Sequence, residues 1–413
     1  MSDLAINLPS GWKKKPLSSL ADYHNGAAFN SKDWVEDGLP IIRIEQINNS
    51  NSETDKFNGM LLPNNFIDNG DLIFSWSATL KVVIWNRGPG ALNQHLYKVV
   101  PKMGVDRFLL RHIIDFNMDK LAGQAQGSTM KHVTRKELSR FTVFFPESKI
   151  EQQKIAVILQ SIDQTIEKTE ALIEKYQQIK AGLMHDLFTR GITADGKLRP
   201  PREQAPELYQ ETAIGWIPKE WTFSDIKLSA YIHNTLRLPL SSEVREEIKG
   251  EYPYHGPTGV VDYINEYRLD GKFVLIGEDG DHFLKYYRME MTQLVEGKFN
   301  VNNHAHILSG TNGCSTDWLF IYFLHRDITF WLTRQGAGRY KLNKAALESL
   351  PLAVPSPDEQ LLIIEIVFHY RSMIKKQTQE LSKLRKQKSG LMHDLLTGKV
   401  LVTVDENEAI HAN

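Results

Sequence analysis

Two long stretches of the chain carry apolar residues three or four positions apart, which is the spacing of one face of an α-helix. The first covers residues 151–187, the second covers residues 359–395, and neither contains a proline. At 1.5 Å per residue, each predicted helix is about 55 Å long. The residues expected to pair the two helices are Ile155, Ile162, Ile166, Ile173, Leu183, Ile363, Tyr370, Ile374, Leu381 and Leu391.

The apolar stripe on each predicted helix is narrow, as in the seam of a coiled coil. The two stripes are long and in matching phase, which favours an antiparallel pair made by the two helices with each other. The alternative is that each helix packs only on the globular domain beside it.

Shorter runs rich in β-branched and aromatic residues predict strands ahead of each long helix. These runs cover 39–44, 71–76, 81–85 and 96–100 in the first half, and 272–276 and 304–308 in the second. Apolar periodicity predicts helical segments at 106–121 and 316–334. The mixture predicts an α+β (mixed α/β) fold with two globular domains and two long helices.

The two long helices belong to an internal repeat. Residues 182–187, Gly-Leu-Met-His-Asp-Leu, recur without change at 390–395, and the same offset relates Glu151-Gln152 to Glu359-Gln360 without a gap. An offset longer by one residue relates Asn93 and His95 to Asn302 and His304. Because the helices are similar and the globular parts differ, the repeat suggests a common scaffold that presents two different binding domains.

The repeat and a linker rich in Gly and Pro define the expected domain organisation. The predicted parts are a first domain at 1–148, a helix at 149–190, the linker at 191–212, a second domain at 213–356, a helix at 357–400 and a tail at 401–413.

Bulk composition is that of a soluble globular protein. The 413 residues are 41% hydrophobic and 24% charged, and the net charge is -1. The chain lacks the excess of basic residues that many nucleic-acid-binding proteins have. A protein with a net charge near zero can still have local basic surfaces. The single cysteine, Cys314, excludes a disulfide framework and is expected to be a packing residue. With no signal-peptide pattern and no apolar run of about 20 residues, a cytoplasmic location is expected.

The sequence contains no complete catalytic motif of the kinds considered below. Residues 191–197 resemble a phosphate loop but lack its Ser or Thr and the strand before it. The acidic turn at 278–281 could bind a metal ion, but its counterpart at 75–77 is not acidic. Neither Gly-x-Gly-x-x-Gly nor the Asn/Asp-Pro-Pro-aromatic motif of amino-methyltransferases is present. We therefore expect a non-catalytic protein without metal or cofactor.

Polar loops remain as candidate binding sites. Residues 127–136 and their counterparts 336–344 combine glycines, hydroxyls and basic groups that suit phosphates, and amide side chains can bind adenine edges. The alternative for each such residue is simple solvation. The candidate DNA-contacting residues are Arg43, Gln46, Asn48, Ser75, Ser77, Lys81, Asn93, Gln94, Ser128, Thr129, Lys131, His132, Asn302, Asn303, Arg339 and Lys341.

Several of these motifs together resemble the DNA-sequence specificity subunit of type I restriction–modification systems. The residues that carry the resemblance are 8–12, 70–75, 93–95, 127–133 and the repeated helix end Gly-Leu-Met-x-Asp-Leu. The resemblance implies two target-recognition domains, each binding one half of a split, asymmetric site in double-stranded DNA. It also implies an antiparallel pair of conserved helices that fixes the gap and holds two methyltransferase subunits, with restriction subunits joining the full complex.

Half-sites on one side of B-DNA lie roughly 34–36 Å apart, and a helix of about 55 Å is long enough to set such a gap. We therefore expect insertions or deletions within 163–180 to change the spacer and leave both half-sites unchanged. The alternative function is a coiled-coil scaffold that carries two domains for ligands other than DNA.

Overall fold

The computed structural model describes residues 8–49, 51–124, 132–335 and 339–403. The chain forms two compact units. Unit 1 comprises residues 1–171 and 378–413, and unit 2 comprises residues 172–377. Each long helix therefore contributes one half to each unit.

The first half of the chain contains ten strands and six helices within the described residues. The strands are β1 Trp12–Pro16, β2 Ala21–Asn25, β3 Leu39–Ile42, β4 Lys56–Phe57, β5 Phe66–Ile67, β6 Leu72–Ser75, β7 Lys81–Ile84, β8 Gly90–Leu92, β9 Leu96–Pro101 and β10 Thr142–Pro146. The helices are α1 Leu17–Leu20, α2 Ile44–Asn48, α3 Arg107–Phe116, α4 Met118–Gln124, α5 Arg135–Arg140 and the long helix α6 Lys149–Thr189.

The second half has its own strands and ends in the second long helix. The strands are β11 Tyr209–Thr212, β12 Gly215–Pro218, β13 Thr222–Asp225, β14 Ala230–Ile232, β15 Lys249–Gly256, β16 Gly259–Ile264, β17 Leu269–Gly277, β18 Thr292–Val301, β19 Ala305–Gly310, β20 Thr333–Gln335, β21 Arg339–Lys341 and β22 Pro351–Val354. The helices are α7 Ile226–Ser229, α8 Ser242–Glu247, α9 Thr316–Phe323, α10 Lys344–Glu348 and α11 Pro357–Leu396.

Unit 1 is built on two four-stranded sheets. The first is antiparallel with the order β2–β9–β6–β7, and the second has the order β4–β3–β8–β5 with β3 and β8 parallel. The main core of the unit lies between the first sheet and α3, whose apolar residues recur every three to four positions. Both long helices add side chains to this core: Ile155 and Leu159 come from α6, and Met392 and Leu395 come from α11.

Unit 2 is built on one six-stranded sheet with the order β14–β19–β17–β18–β15–β16. Its largest core packs α9 against this sheet around the buried Trp318. Leu187 of α6 and Ile363 of α11 extend that core. In both units, therefore, a helix that follows the central strands packs on the sheet and on parts of both long helices.

Twin glutamines fix the start of each long helix to its domain. In unit 1, Gln152 is buried, its Oε1 accepts from the backbone N of Asp106 at 2.8 Å, and its Nε2 donates to the carbonyl of Pro146 at 2.9 Å. In unit 2, the buried Gln360 makes the same bonds to Ser315 at 2.9 Å and to Pro355 at 2.9 Å. Asp106 and Ser315 are the N-caps of α3 and α9. The repeat in the sequence is thus a repeat in three dimensions.

The two long helices run in opposite directions where they meet inside each unit. In unit 1, Asp163 pairs with Lys388 at 2.8 Å, and Glu170 pairs with Arg385 at 2.7 Å. In unit 2, the rings of Tyr176 and Tyr370 lie 6.5 Å apart, and Leu187 near the end of α6 shares a core with Ile363 near the start of α11.

The residues predicted to pair the helices occupy two kinds of environment. Ile155 and Ile363 are fully buried in the domain cores, and Leu381 is also buried. The others, Ile162, Ile166, Ile173, Leu183, Tyr370, Ile374 and Leu391, are half-buried. The structure thus combines the two arrangements that the pattern left open, because each helix contacts both the other helix and the domain beside it.

The predicted helix at 316–334 is wrong beyond its first part, since α9 ends at Phe323. The Asp327 side chain accepts from the backbone N of Thr329 at 2.9 Å and starts a short 3-10 turn there, and β20 follows. The predicted helix at 106–121 is divided by Asn117, which lies between α3 and α4. The predicted strand at 39–44 ends at Ile42, and α2 begins two residues later.

Residues of the predicted linker at 191–212 pack within unit 2. Ile192, Arg199 and Tyr209 are buried, and the Arg199 guanidinium donates to both carboxylate oxygens of Glu359, at 2.5 and 3.0 Å. The segment therefore joins the start of α11 to the second domain.

Candidate nucleic-acid interface

In unit 1, β6 ends in a short loop that carries Trp76 and Ser77. The loop is joined to the chain at His132 and Val133: Ser77 and His132 form an isolated antiparallel bridge, and the backbone N of Val133 donates to the carbonyl of Trp76 at 2.9 Å. This pairing holds the tip of the strand against a segment more than 50 residues later in the chain.

The Trp76 ring is the centre of an aromatic cluster. Its centroid lies 5.8 Å from that of His95 and 5.5 Å from that of His132, and its Nε1 donates to the carbonyl of Gln94 at 3.2 Å. Asn93 sets the turn that presents His95, because its Oδ1 accepts from the His95 backbone N at 3.2 Å. The Ser77 hydroxyl lies 3.4 Å from His95 Nδ1.

Unit 2 repeats this backbone framework with different side chains. The loop after β17 carries Glu278 and Asp279; the backbone N of Leu342 donates to the carbonyl of Glu278 at 2.7 Å, and Asp279 forms an isolated bridge with Lys341. Glu278 therefore occupies the place of Trp76, and Asp279 occupies the place of Ser77.

The histidine of the repeat is also retained in unit 2. Asn302 Oδ1 accepts from the backbone N of His304 at 2.9 Å, as Asn93 does for His95. Asp279 Oδ2 lies 2.7 Å from His304 Nδ1, in the place of the Ser77 hydroxyl contact.

Both loops contain a residue with positive φ directly after the Ser or Asp. Ala78 has φ 55°, and Gly280 has φ 130°. Ala78 is unusual because residues other than glycine seldom adopt this conformation. Strained backbone of this kind is found mainly where a loop must present specific groups. Both loops thus place a positive φ at this position, with glycine in unit 2 and against a steric preference in unit 1.

An ion network surrounds the loop of unit 2. Arg237 Nη1 lies 2.5 Å from Glu278 Oε2, and Lys341 Nζ lies 3.2 Å from Glu278 Oε1. Burial would raise the pKa of Glu278, but the hydrogen bonds from Arg237 and Lys341 and the charge of Arg237 outweigh it and lower the pKa below the ordinary value. Glu278 is therefore ionised at neutral pH.

The buried His306 lies beside this network. It is a neutral imidazole, because burial lowers its pKa. Its Nε2 is 2.7 Å from the carbonyl of Leu342, so this nitrogen carries the proton. Its Nδ1 then accepts from the Asn234 amide at 2.9 Å.

The two loops offer different recognition chemistry. Asp279 Oδ1 has no hydrogen-bond partner among the described residues, and a carboxylate oxygen can accept from the amino group of cytosine. The loop of unit 1 offers instead an indole ring, imidazoles and the exposed amide of Gln94. In the described parts of the chain, no group of three or more His, Cys, Asp or Glu side chains is arranged to hold a metal ion.

The predicted DNA-contacting residues fall into three groups. Ser75, Ser77, Asn93, Gln94 and His132 lie together around Trp76. Arg43, Gln46, Asn48 and Lys81 lie around α2, where Lys81 Nζ donates to the carbonyl of Ile47 at 3.1 Å. Asn302, Asn303, Arg339 and Lys341 belong to unit 2, with Arg339 at the start of β21. Ser128, Thr129 and Lys131 lie outside the described residues.

Several of these side chains are occupied by contacts inside the domain. Gln46 is buried, accepts from the backbone N of Arg43 at 3.0 Å and donates to the carbonyl of Glu53 at 2.8 Å. Ser75 is buried and donates to the carbonyl of Ser77 at 3.3 Å. Arg43 pairs with Asp55 at 2.7 Å. By contrast, Asn48, Gln94 and Asn303 are exposed and available to a ligand.

The candidate list from the sequence omits Trp76, His95, Arg237, Asp279 and His304. A signal for two of them is present in the sequence, because His95 and His304 recur at the repeat offset. The other three are recognisable only once the long-range pairing of the loops is known.

A family model described as Type I restriction modification DNA specificity domain matches residues 9–178 and 218–385. The chain belongs to this family. The two matches correspond to the two halves of the repeat, so this specificity protein carries two target-recognition domains. The resemblance and the mixed α and β fold predicted from the sequence are confirmed.

Relatives with the same description cover different parts of the chain. A putative type I restriction enzyme specificity subunit of Haemophilus influenzae is 35% identical over 138 residues, which are 33% of this chain and 34% of the relative. This alignment thus spans about a third of the relative. The putative MjaX specificity subunit of Methanocaldococcus jannaschii is 23% identical over 419 residues, covering 96% of this chain and 95% of the relative.

A solved structure supports the fold over the full length. The crystal structure of the S subunit of a type I restriction-modification system from M. genitalium matches with a TM-score of 0.65 at 16% identity, covering 98% of this chain and 99% of that one. None of the helices in the described ranges is both long enough and apolar enough to cross a membrane.

Proposed function

We propose that this specificity protein binds a two-part, asymmetric site in double-stranded DNA, with one half-site for each recognition domain. The observation that carries the proposal is the pair of equivalent loops. Trp76 and Ser77 in one unit and Glu278 and Asp279 in the other are held by the same backbone pairing and offer different side chains. A duplicated framework with different contact groups is what recognition of two different half-sites requires.

Basic and amide groups near each loop can provide the contacts that position DNA. Arg135 donates to Asn25 Oδ1 at 3.2 Å beside the loop of unit 1, and Arg237 and Lys341 flank the loop of unit 2. Phosphate contacts of this kind add affinity without sequence information, and the loop side chains add the specificity.

The chain is proposed to act as a non-catalytic subunit of a larger complex. Two methyltransferase subunits bind to it, and restriction subunits join to complete the restriction–modification enzyme. The two long helices are the proposed contact for the methyltransferases and the element that sets the spacer. Both helices keep exposed positions along their length that the domain cores do not cover and that a partner can reach.

Binding of the assembled complex to DNA tests the proposal. The chain and its methyltransferase subunits are titrated with a library of duplexes, and the apparent affinity is measured from 50 to 200 mM salt. We expect a subset of sequences to bind at least 1,000-fold more tightly than the rest, roughly the ratio of specific to non-specific binding. Uniform binding to all duplexes, or no binding, would favour the alternative of a scaffold for ligands other than DNA.

A further inference from the structure

Unit 2 contains an open cleft of about 880 Å³ beside the C-terminal part of α6. Its volume lies in the range of pockets that bind small molecules, roughly 300–1,000 Å³. Its walls include Lys180 and Phe188 from α6, Tyr287 and Arg288 from the segment after β17, and Arg326 after α9. The cleft is separate from the Glu278–Asp279 loop, and no residue of that loop lines it.

The charges in the cleft are predominantly positive. Glu290 is the one acidic residue that lines it, and both Glu290 carboxylate oxygens bond to the guanidinium of Arg371, one of them at 3.1 Å. Lys180, Arg288 and Arg326 have no carboxylate partner in the part of the chain that the structure describes. The cleft therefore retains about three uncompensated positive charges.

Arg326 is held in place without an acidic partner. Its guanidinium carbon lies 3.8 Å from the centre of the Tyr322 ring, and its Nε donates to the carbonyl of Tyr322 at 3.3 Å. Its two Nη groups have no hydrogen-bond partner among the described residues. Stacking on an aromatic ring fixes the plane of the guanidinium and leaves this fork of donors free for a ligand.

The equivalent place in unit 1 is neutral. Lys388 is the repeat counterpart of Lys180, and it pairs with Asp163 at 2.8 Å and with Asp115 at 3.4 Å. Asp163 is itself the counterpart of Arg371, so the sign of one position has reversed between the units. The positive cleft is therefore a property of unit 2 and not of the repeated scaffold.

Uncompensated cations in a partly enclosed site have an energetic cost. Burial lowers the pKa of Lys180, with the Arg371 charge acting in the same direction, and burial also lowers the pKa of Arg326. Charges without partners in such surroundings are destabilising, and a bound anion would remove that cost.

We propose that this cleft binds a phosphate-bearing small molecule. Lys180, Arg288 and Arg326 hold the phosphate oxygens, because about three positive charges and the fork of a stacked arginine suit a polyanion. Phe188 and the exposed Tyr287 ring provide an aromatic surface for the remainder of the ligand. The ligand class is therefore a nucleotide or a free polyphosphate, and the site is independent of the proposed recognition of DNA.

Calorimetric titration of the full chain with pyrophosphate and with adenosine diphosphate, in buffer free of divalent metal, tests the site. Both are expected to bind. Tighter binding of adenosine diphosphate that is lost in Tyr287→Ala would identify a nucleotide, and equal binding would identify a free polyphosphate. Arg288→Gln and Lys180→Gln should each weaken binding about tenfold or more, as expected for a charge-assisted hydrogen bond.

The matched control is Lys175→Gln, which removes an exposed lysine from the same helix outside the cleft and should leave the affinity unchanged. Thermal unfolding followed by circular dichroism confirms that each variant folds, and Arg288 is exposed enough for its variant to be tolerated. Three results would overturn the proposal. The first is no heat of binding with either ligand at millimolar concentration, and the second is that Lys175→Gln weakens ligand binding as much as the cleft variants do. The third is that the cleft variants weaken binding of duplex DNA and leave ligand binding unchanged.

Discussion

The loop of unit 1 and the loop of unit 2 are held by the same backbone pairing and carry different side chains. Each follows a central strand, pairs with a segment far along the chain and faces a histidine that an asparagine turn presents. One loop offers Trp76 and Ser77, and the other offers Glu278 and Asp279 within an ion network. The comparison teaches that the two copies of the repeat share the backbone framework of the loop and differ in the side chains it presents.

The attachments of the two long helices differ in a similar way. In unit 1, the indole Nε1 of Trp12 donates to Glu151 at 3.0 Å. In unit 2, the counterpart Glu359 binds the buried guanidinium of Arg199 and the backbone N of Ile192, while the Trp221 Nε1 has no hydrogen-bond partner among the described residues. Equivalent glutamates therefore accept a hydrogen bond from a neutral donor in one unit and from a buried cation in the other.

The largest expected effect concerns these glutamates. Glu359→Gln removes the buried carboxylate charge that neutralises Arg199, leaves it only the exposed Glu220, and should destabilise the protein by about 3 kcal/mol or more. Glu151→Gln keeps a carbonyl acceptor for Trp12 and should cost only about 1 kcal/mol. Urea denaturation of both variants measures the difference. Equal losses would show that the two attachments are energetically alike.

The next effect tests the loops themselves. Asp279→Asn should weaken recognition of one half-site by about 1–3 kcal/mol and leave the other unchanged, because a carboxylate acceptor is converted partly into a donor. Trp76→Ala should weaken recognition of the other half-site and leave the first unchanged. Competition between duplexes that vary in one half-site at a time measures each effect. If either variant weakened the affinity for both half-sites equally, the loops would not act independently.

A smaller effect depends on pH. Burial lowers the pKa of His112 to about 3 from its ordinary value near 6.5, while its counterpart in unit 2 is the buried Ile321. Between these values the unfolded chain binds a proton that the folded chain does not, so stability falls as the pH is lowered below about 6.5. At pH 5 the loss is about 2 kcal/mol.

His112→Ile, which copies unit 2, should remove that loss. The difference in unfolding free energy between the variant and the natural chain should therefore grow in favour of the variant by about 2 kcal/mol between pH 7.5 and pH 5. Parallel pH profiles for the two proteins would mean that His112 takes up its proton in the folded state at the same pH as in the unfolded chain.

The spacer gives the last prediction. Seven residues inserted within 163–180 lengthen a helix by about 10 Å, roughly three base pairs of B-DNA. Methylation mapping should then find a changed spacer between unchanged half-sites. An altered half-site with the original spacer would exclude the helices as the element that sets the gap.

The features that could be predicted from sequence are those with a periodic or repeated signal. The long helices followed from an uninterrupted stripe of three- and four-residue spacing, and central strands of the sheets followed from runs such as 71–76 and 272–276. The family followed from motifs distributed over the whole chain. Each of these signals is local, or is repeated at a fixed offset.

The candidate site was only partly predictable, because burial and long-range pairing decide which polar groups are free. Gln46 and Ser75 looked like contact residues, but both use their hydrogen bonds inside the domain. Asp279 looked like part of a polar turn, and its pairing with His304 joins residues 25 positions apart. No local pattern carries that information.

The most direct test of the central proposal is the mapping of methylated DNA in cells that contain this chain and its methyltransferase subunits, compared with cells that lack the chain. Two recognition domains with different loops predict that one motif is lost: two unlike half-sites separated by a spacer of fixed length. A continuous motif, a palindrome of identical half-sites or no change in methylation would contradict the proposal.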